Sequence, residues 1–173
     1  MSSIIKVDAI QKADGTTPTA GDLGLNTTGS VLQVVNVTNK DTASFSGGTW
    51  GAWPITASIT PTSTSSKILI MAHLPNNYVG GGGQDWYVQL RRDGTNLFGS
   101  TGNSSVGGSA EFSNQLNCAG FRKAINIQHL DSPATTSQIT YDCRARNTTG
   151  VTMYLNYPSE RGDLSITLME IAG

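Results

Sequence analysis

Apolar and polar residues alternate with a period of two in segment after segment of this chain. The clearest case is residues 138–146, where every second side chain is apolar and would face a core: Ile139, Tyr141, Cys143 and Ala145. The residues between them are Thr, Asp and Arg and would face water, as in a half-buried antiparallel strand. No segment carries the three- and four-residue apolar spacing of an amphipathic helix. The pattern therefore predicts an all-β protein.

Segments of this kind recur roughly every 8 to 12 residues with turn residues between them, which is typical of an antiparallel β-sandwich. About eight strands are predicted, over residues 31–37, 55–59, 67–73, 86–91, 124–129, 138–146, 151–157 and 164–171. The pair Asp93-Gly94 is a strong hairpin signal, so Leu97 and Phe98 are expected to return beside the preceding strand. Two stretches rich in Gly, Ser and Asn, 76–85 and 99–117, are predicted to be long loops.

Residues 1–30 are predicted to form an extended leader before a sandwich of residues 31–173. The leader starts with a short apolar stretch and continues with turn-forming Gly and Asp residues. With so few large apolar side chains it has little core of its own, and it needs a neighbouring surface to become ordered. Its apolar residues are therefore expected to attach the chain to another protein by adding a strand to it. These residues are Ile4, Ile5, Val7 and Ile10.

The last predicted strand is apolar on both faces near its end. Leu164, Ile166 and Leu168 form one face, and Met169 and Ile171 add apolar groups to the opposite face. A strand that is apolar on two sides in a small sandwich needs a second covering surface. That surface is either a sheet of the same chain or another subunit, and Leu168, Met169 and Ile171 are the residues predicted to lie in an interface between subunits.

The charge of the chain narrows the range of partners. Charged residues make up 13% of the sequence and the net charge is −1, so the chain lacks the basic surface that binds nucleic acid or anionic membranes. Its longest apolar run, residues 68–74, is far shorter than the roughly 20 residues of a membrane-spanning helix. No signal peptide begins the sequence. Protein and glycan partners are expected, with synthesis in a cytoplasm and with Cys118 and Cys143 as reduced thiols.

No arrangement of residues points to catalysis or to a bound cofactor. The sequence has no phosphate-binding loop, no zinc-protease motif and no nucleophile elbow. His73 and His129 have no further ligand residue at metal-binding spacing. Glu160 and Asp163 fit a polar turn better than a pair of glycosidase carboxylates. The chain is therefore predicted to be a non-enzymatic protein with no metal and no cofactor.

Aromatic residues outside the predicted core are candidate contacts for a receptor or a glycan. Trp53 lies two residues before Ile55, on the same face of the strand, and is expected inside the sandwich. For Trp50 the alternation does not decide between the inner and the outer face. Tyr78 lies beside a run of four glycines, and Tyr87 lies opposite the apolar face of its strand. Trp50, Tyr78 and Tyr87 are the candidates, because aromatic faces offer apolar contact area at a low cost in conformational entropy.

Four stretches of the chain follow one another in the same order as in a known class of proteins: 4–16 (IIKVDAIQKADGT), 29–35 (GSVLQVV), 57–70 (ASITPTSTSSKILI) and 90–95 (LRRDGT). In these stretches the sequence resembles tail-fibre and virion structural proteins of marine and cyanobacterial tailed bacteriophages. The resemblance implies a homotrimer of jelly-roll-like β-sandwiches. It also implies that the leader attaches the trimer to other capsid or tail proteins, and that distal loops are available to a host receptor or surface glycan.

Two places on the particle stay open for such a protein. A tail fibre commonly has a long shaft between anchor and head, whereas here the leader runs almost directly into the sandwich. The resemblance therefore implies either a tail-fibre or receptor-contact subunit or a capsid decoration (cement) protein, located in the virion and assembled in the host bacterial cytoplasm. The alternative is a free, lectin-like carbohydrate-binding module, which would need no particle.

Overall fold

The structure is a computed structural model that describes residues 9–19, 21–24, 28–46, 48–79, 86–99, 122–147 and 151–173. These residues contain one short 3-10 helix, Pro158–Glu160, and no helix long and apolar enough to cross a bilayer. The rest of the regular structure is strand. The strands are β1 (Val31–Asn39), β2 (Ala43–Phe45), β3 (Gly51–Ile59), β4 (Lys67–Val79), β5 (Trp86–Arg92), β6 (Thr95–Gly99), β7 (Arg122–Asp131), β8 (Ile139–Asn147), β9 (Met153–Leu155) and β10 (Leu164–Ile171).

The strands form two sheets, and every described strand pair is antiparallel. In the A sheet, β7 pairs along one edge of β4, while β10 and then β9 pair along its other edge. β1 lies beyond β10, and β2 lies beyond β9. The B sheet has the order β3-β8-β5-β6.

The strand order is that of a jelly roll. Without the short β2 and β9, four strands remain in each sheet, in the orders β1-β10-β4-β7 and β3-β8-β5-β6. Four of their pairs are nested like the arms of one long hairpin, namely β1 with β10, β3 with β8, β4 with β7 and β5 with β6. Rolling such a hairpin into two sheets gives the eight-stranded jelly roll. The antiparallel, jelly-roll-like β-sandwich predicted from the sequence is confirmed.

The core lies between the two sheets and is built from the inward side chains of both. Trp53 is 2% exposed, as its parity predicted, and its indole Nε1 donates a hydrogen bond to Asn77 Oδ1 at 2.9 Å. Cys143 is buried, as its parity predicted, and burial raises the pKa of its thiol to about 12, with a smaller contribution from the charge of Asp142. Cys118 lies outside the described residues.

The structure departs from the predicted strands at several positions. β3 begins at Gly51 instead of residue 55, and β9 covers only Met153–Leu155 of the predicted strand 151–157. β2, of three residues, was not predicted. β4 continues to Val79 through a register shift between Leu74 and Asn77, so residues 76–79, predicted to be loop, belong to a strand. Asn76 adopts a φ of 52°, a left-handed conformation that asparagine tolerates better than most residues. The predicted hairpin is present: β6 returns beside β5 after Asp93 and Gly94, whose φ angles are 46° and 82°.

The end of the leader, Gly29 and Ser30, is hydrogen-bonded to Ala172 near the C-terminus. Gly29 N–H donates to the Ala172 carbonyl at 2.7 Å, and Ala172 N–H donates to the Ser30 carbonyl at 2.8 Å. Residues 9–19 and 21–24 are exposed apart from the half-buried Pro18. They are organised by local contacts, among them an ion pair of 2.7 Å between Lys12 and Asp22.

Candidate interaction surfaces

A row of apolar side chains crosses the outer face of the A sheet. Val34, Met169, Leu69 and Leu130 are successive Cα partners across β1, β10, β4 and β7, so they share one face. Val34 is 55% exposed and Leu130 is 51% exposed, while Leu69 and Met169 are half-buried. Val31 and Ile171, paired at the end of β1, extend the row. We call these six residues the apolar belt.

The alternation of β10 explains which of its residues belong to the belt. Leu168 is fully buried and packs in the core of its own subunit, so it does not reach the surface where a second subunit could contact it. Met169 and Ile171 point outward and are half-buried. Two of the three predicted interface residues are therefore on the outer face, and the structure adds Val31, Val34 and the partners from β4 and β7.

The outer face becomes polar farther along the strands. Asn36 donates to Thr167 Oγ1 at 2.7 Å, and His73 Nδ1 lies 2.6 Å from Asn126 Oδ1. A shallow, open depression lies among the side chains of this region: Met71, Ala72, His73, Asn126, Ile127, Gln128, Ser165 and Thr167. His73 is exposed and forms part of this polar surface. The described residues include no group of three or more potential metal-binding side chains.

Three tyrosines come together beyond this polar region. Tyr78 of β4 is the Cα partner of Arg122 on one side and of Tyr154 on the other. The Tyr78 ring centroid lies 6.1 Å from that of Tyr154 and 4.8 Å from that of Tyr157. The Tyr154 and Tyr157 centroids are 5.3 Å apart. The Arg122 guanidinium lies over the Tyr157 ring, 5.0 Å from its centroid. We call Tyr78, Tyr154 and Tyr157 the tyrosine cluster.

Two buried asparagines hold the backbone beneath the tyrosine cluster. Asn156 has a φ of 56°, and its side-chain amide donates to the carbonyls of Lys40, Asp41 and Gly162 at 3.1–3.3 Å. Its Oδ1 accepts a hydrogen bond from Gly162 N–H at 2.8 Å. Asn77 Oδ1 accepts from Trp53 and, at 3.4 Å, from the Asn156 N–H. Both side chains are fully buried, so this end of the sandwich has a fixed framework.

The structure separates the three predicted contact residues. Tyr78 is half-buried and belongs to the tyrosine cluster. Tyr87 belongs to the B sheet and is only 4% exposed, so it is not an accessible contact, although alternation places it opposite the core. The outer side of β5 is covered at this point, since Gln89 is buried as well. Trp50 is half-buried just before β3, and it is not among the cluster's ring contacts.

Sequence reasoning missed Tyr154, Tyr157 and Arg122. Tyr154 alternates with Met153 and Leu155, and this pattern could have placed it on an outer face. Nothing in the sequence indicates that β9 pairs with the end of β4, which is what brings Tyr154 beside Tyr78. The cluster is therefore a product of tertiary structure.

Buried carboxylates in the sandwich are fully engaged in hydrogen bonds. Asp131 at the end of β7 accepts two bonds from Arg92, at 2.7 and 2.9 Å, and one from the Tyr141 hydroxyl at 2.8 Å, which joins the two sheets. Burial, followed by this hydrogen bond, raises the pKa of Tyr141. Such saturated groups hold the fold together and leave no carboxylate free for acid–base chemistry at these positions.

Glu170 forms the second such centre, at the end of β10. Its carboxylate accepts hydrogen bonds from Gln33 Nε2 at 2.6 Å and from both the N–H and the hydroxyl of Thr62 at 2.7 Å. The buried Ser66 hydroxyl also faces this carboxylate, but outside normal hydrogen-bond geometry. Burial acts to raise the pKa of Glu170, and the hydrogen bonds outweigh it, so that the pKa is lowered. Glu170 thus ties β1 and the β3–β4 connection to β10.

The predicted attachment residues are only partly described. Ile4, Ile5 and Val7 lie outside the described residues. Ile10 is 53% exposed. Among the described residues of 9–24, the large apolar side chains of Ile10 and Leu23 are exposed to solvent.

No protein-family model and no curated protein sequence matches the chain. Among solved structures, the chain is similar to a chain of the infectious bursal disease virus Gt strain, with a TM-score of 0.47 and 15% identity over 82% of this chain. It is also similar to the VP2 subviral particle of that virus, with a TM-score of 0.44, 11% identity and the same coverage. This chain spans 37–38% of the length of those two chains.

Proposed function

We propose that this chain is a non-enzymatic structural subunit of a bacteriophage particle, and that it assembles as a homotrimer through the apolar belt. The observation that carries the proposal is the belt itself, six apolar residues in register over four strands on an outer sheet face. None of the six carries a charge, and three of them, Val31, Val34 and Leu130, are more than half exposed in the single subunit.

The physical argument for association starts from the cost of leaving this face in water. Burying apolar surface stabilises a complex by about 25 cal/mol per Å². Soluble monomers rarely expose large contiguous apolar patches, and those that they do expose are often interaction sites. Because the belt is uncharged, a second copy can be brought against it without the desolvation of buried ions. The low overall charge, 13% of residues, reduces repulsion between copies in the same way.

The jelly roll supports a virion role and also a lectin role, because both capsid proteins and lectins use this fold. The resemblance in the leader and in the segments 29–35, 57–70 and 90–95 favours the virion. Within the particle, the proposal includes a tail-fibre or receptor-contact subunit and a capsid decoration protein. Imaging intact particles for the position of the trimer would distinguish these two.

The leader is proposed to attach the trimer to a neighbouring capsid or tail protein. Its described residues are held by local polar contacts and bury almost no apolar surface against the sandwich, so a neighbouring protein would supply the burial that the leader lacks. An extended segment can add as a strand to another sheet, with main-chain hydrogen bonds giving affinity and apolar side chains entering pockets. Ile4, Ile5, Val7 and Ile10 are the side chains proposed for these pockets.

Replacing a belt residue with a charged one should disrupt the trimer. The wild-type chain is expected to show three times its subunit mass of 18.2 kDa in light scattering at micromolar concentration. Val34→Glu should run as a monomer with little loss of thermal stability, because Val34 is exposed in the subunit and a charge in each copy of the interface costs several kcal/mol. Leu130→Glu should behave in the same way.

The matched control is Ala52→Glu, an exposed position on β3 in the B sheet, which should leave the mass unchanged. A monomeric mass for the wild-type chain would contradict the proposal. So would a Val34→Glu, Leu130→Glu double variant that keeps the wild-type mass.

Deleting residues 2–28 should leave the sandwich folded and remove it from particles. The deletion keeps Gly29 and Ser30, whose backbone bonds to Ala172 close the end of the A sheet. Cooperative unfolding should be retained in thermal denaturation, whereas incorporation into virions, measured by immunoblot of purified particles, should be lost. Incorporation at the wild-type level would place the attachment in the sandwich, and loss of cooperative unfolding would make the leader part of the core.

The second candidate function is a free carbohydrate-binding module. The tyrosine cluster favours it, since half-exposed aromatic rings are suited to binding sugars. A monomeric chain that binds glycans in an array, with no association with particles, would support this module over the virion subunit.

A further inference from the structure

The tyrosines of this chain are divided between the core and one surface site. Of the five tyrosines, Tyr87 and Tyr141 are buried. The three that are half-exposed are the members of the tyrosine cluster. Core packing does not account for them, because the inward positions of the same strands are filled by Asn77, Met153 and Leu155, all fully buried.

The three rings are inclined to one another and do not form a flat surface. Tyr78 makes interplanar angles of 41° with Tyr154 and 54° with Tyr157, and Tyr154 meets Tyr157 edge to face at 86°. The centroids lie 4.8–6.1 Å apart, so the rings form one compact group. Inclined rings of this kind can contact one small ring ligand from two sides.

The framework under the rings is organised before any ligand arrives. Tyr157 N–H donates to the Asn76 carbonyl at 2.7 Å, which holds the chain after β9 against β4. The Arg122 guanidinium packs on the Tyr157 ring, as cation–π pairs do. The buried Asn156 fixes the turn between Tyr154 and Tyr157. A site whose side chains are already placed loses less conformational entropy when it binds.

We propose that the tyrosine cluster, with Arg122, is a binding site for a neutral pyranose sugar. The C–H face of a pyranose is apolar and stacks on an aromatic ring, while its hydroxyls can hydrogen-bond with the phenol groups at the ring edges. Ser44, the Cα partner of Tyr154, and Thr152 are exposed beside the rings and add further hydroxyls. Because the Arg122 guanidinium already packs on Tyr157, the ligand needs no negative charge.

A protein partner fits this surface less well than a sugar does. Protein interfaces are centred on broad buried apolar areas. Around the cluster, the outer face carries Ser44 on one side and the polar pair His73 and Asn126 on the other. Among the described residues, these neighbours of the rings on the outer face are polar. The proposal does not depend on self-association, since the cluster and the apolar belt share no residue.

The test is saturation-transfer NMR of the full chain with the methyl glycosides of glucose, galactose, mannose, rhamnose and N-acetylglucosamine. At least one should receive saturation at its ring protons, with a dissociation constant in the millimolar range. Tyr157→Ala should weaken binding roughly tenfold, equal to about 1.4 kcal/mol. Tyr157→Phe, which keeps the ring, should retain most of it, and Arg122→Gln should lower it by a smaller factor than Tyr157→Ala. Thr56→Ala, at an exposed position on β3, is the control and should bind as wild type does.

Two results would overturn the proposal. One is the absence of saturation transfer to all five sugars, which would leave the cluster as a contact for protein. The other is sugar binding that is unchanged in both Tyr157→Ala and Arg122→Gln, which would place the sugar elsewhere. The melting temperature of each variant shows whether it is folded, and Arg122→Gln keeps the test valid if Tyr157→Ala is not. A chain that binds sugar but stays monomeric would count against the proposed trimer alone.

Discussion

Replacing Glu170 with alanine is expected to lower the free energy of unfolding by about 3 kcal/mol, because it removes three hydrogen bonds to the charged carboxylate of a buried side chain. Gln33 and Thr62 together donate three hydrogen bonds to this carboxylate, all between 2.6 and 2.7 Å. Gln33 keeps its bond to the Thr60 carbonyl, but the Thr62 N–H and hydroxyl lose their acceptor. Urea denaturation, with the midpoint and the slope fitted separately, measures the change.

The same carboxylate should make stability depend on pH at the acid end. Its pKa in the folded state is lowered from the ordinary value of 4.5, so the unfolded chain takes up a proton at a higher pH than the folded chain does. The stabilisation from Glu170 is therefore fully present above pH 4.5 and is lost as the pH falls through the folded-state pKa.

Glu170→Gln isolates this contribution. The amide cannot ionise, so the difference in unfolding free energy between wild type and variant should shrink as the pH falls below 4.5. Asp14 and Asp22 in the leader also have lowered pKa values, through hydrogen bonds from Thr16 and from Lys12 respectively, but they are present in both proteins and cancel in the difference. A difference that stays constant between neutral pH and acid would show that the pKa of Glu170 is the same in the folded and unfolded chains, and would contradict the lowered pKa.

The second large effect is expected at Asn156. Asn156→Ala removes four side-chain hydrogen bonds that join the turn after β9 to residues 40, 41 and 162. It also places an alanine, which lacks a polar side chain, in the left-handed conformation at a φ of 56°, and this costs roughly 1 kcal/mol. Together these should lower the free energy of unfolding by about 3–4 kcal/mol.

Asn156→Gly separates the two causes, because glycine accepts the left-handed conformation and still loses the side-chain bonds. It should be less destabilising than Asn156→Ala by about 1 kcal/mol. Asn36→Ala is the control, since Asn36 is exposed and makes one surface bond, to Thr167, and its effect should stay within about 0.5 kcal/mol. In both Asn156 variants the near-ultraviolet circular dichroism of tyrosine should weaken. Stability and spectrum equal to wild type would contradict the role given to Asn156.

The strands could be predicted from the sequence because most of them bury one face. In β8 the alternation of Tyr141, Cys143 and Ala145 with polar residues follows directly from that geometry. β2 was not predicted because three residues are too few to show an alternation of apolar and polar side chains. The end of β4 was predicted to be loop because Pro75, Asn76 and Asn77 are turn formers. In the structure they form an irregularity within the strand.

The surfaces could be predicted only in part, because each depends on which strands become neighbours. The pattern of β10 alone indicated that Met169 and Ile171 need a covering surface. Val34 and Leu130 join them only through the pairing of β1 with β10 and of β7 with β4. Similarly, Tyr78 was recognised as an exposed aromatic residue, whereas its companions depend on the pairing of β9 with β4. Local periodicity does not determine the register between strands that are distant in the sequence.

The place of β10 inside the A sheet sets the order in which the chain can fold. β10 lies between β1 and β4. It pairs with residues that are far from it in the sequence, as Met169 does with Val34. While the chain is being synthesised, the four strands of the B sheet are complete once residue 147 is available, but β1 and β4 keep open edges until β10 is made. Such long-range pairing is slow. The apolar belt exists as a continuous surface only after β10 has joined Val34 to Leu69, so an unfinished subunit does not yet present the surface through which copies would associate.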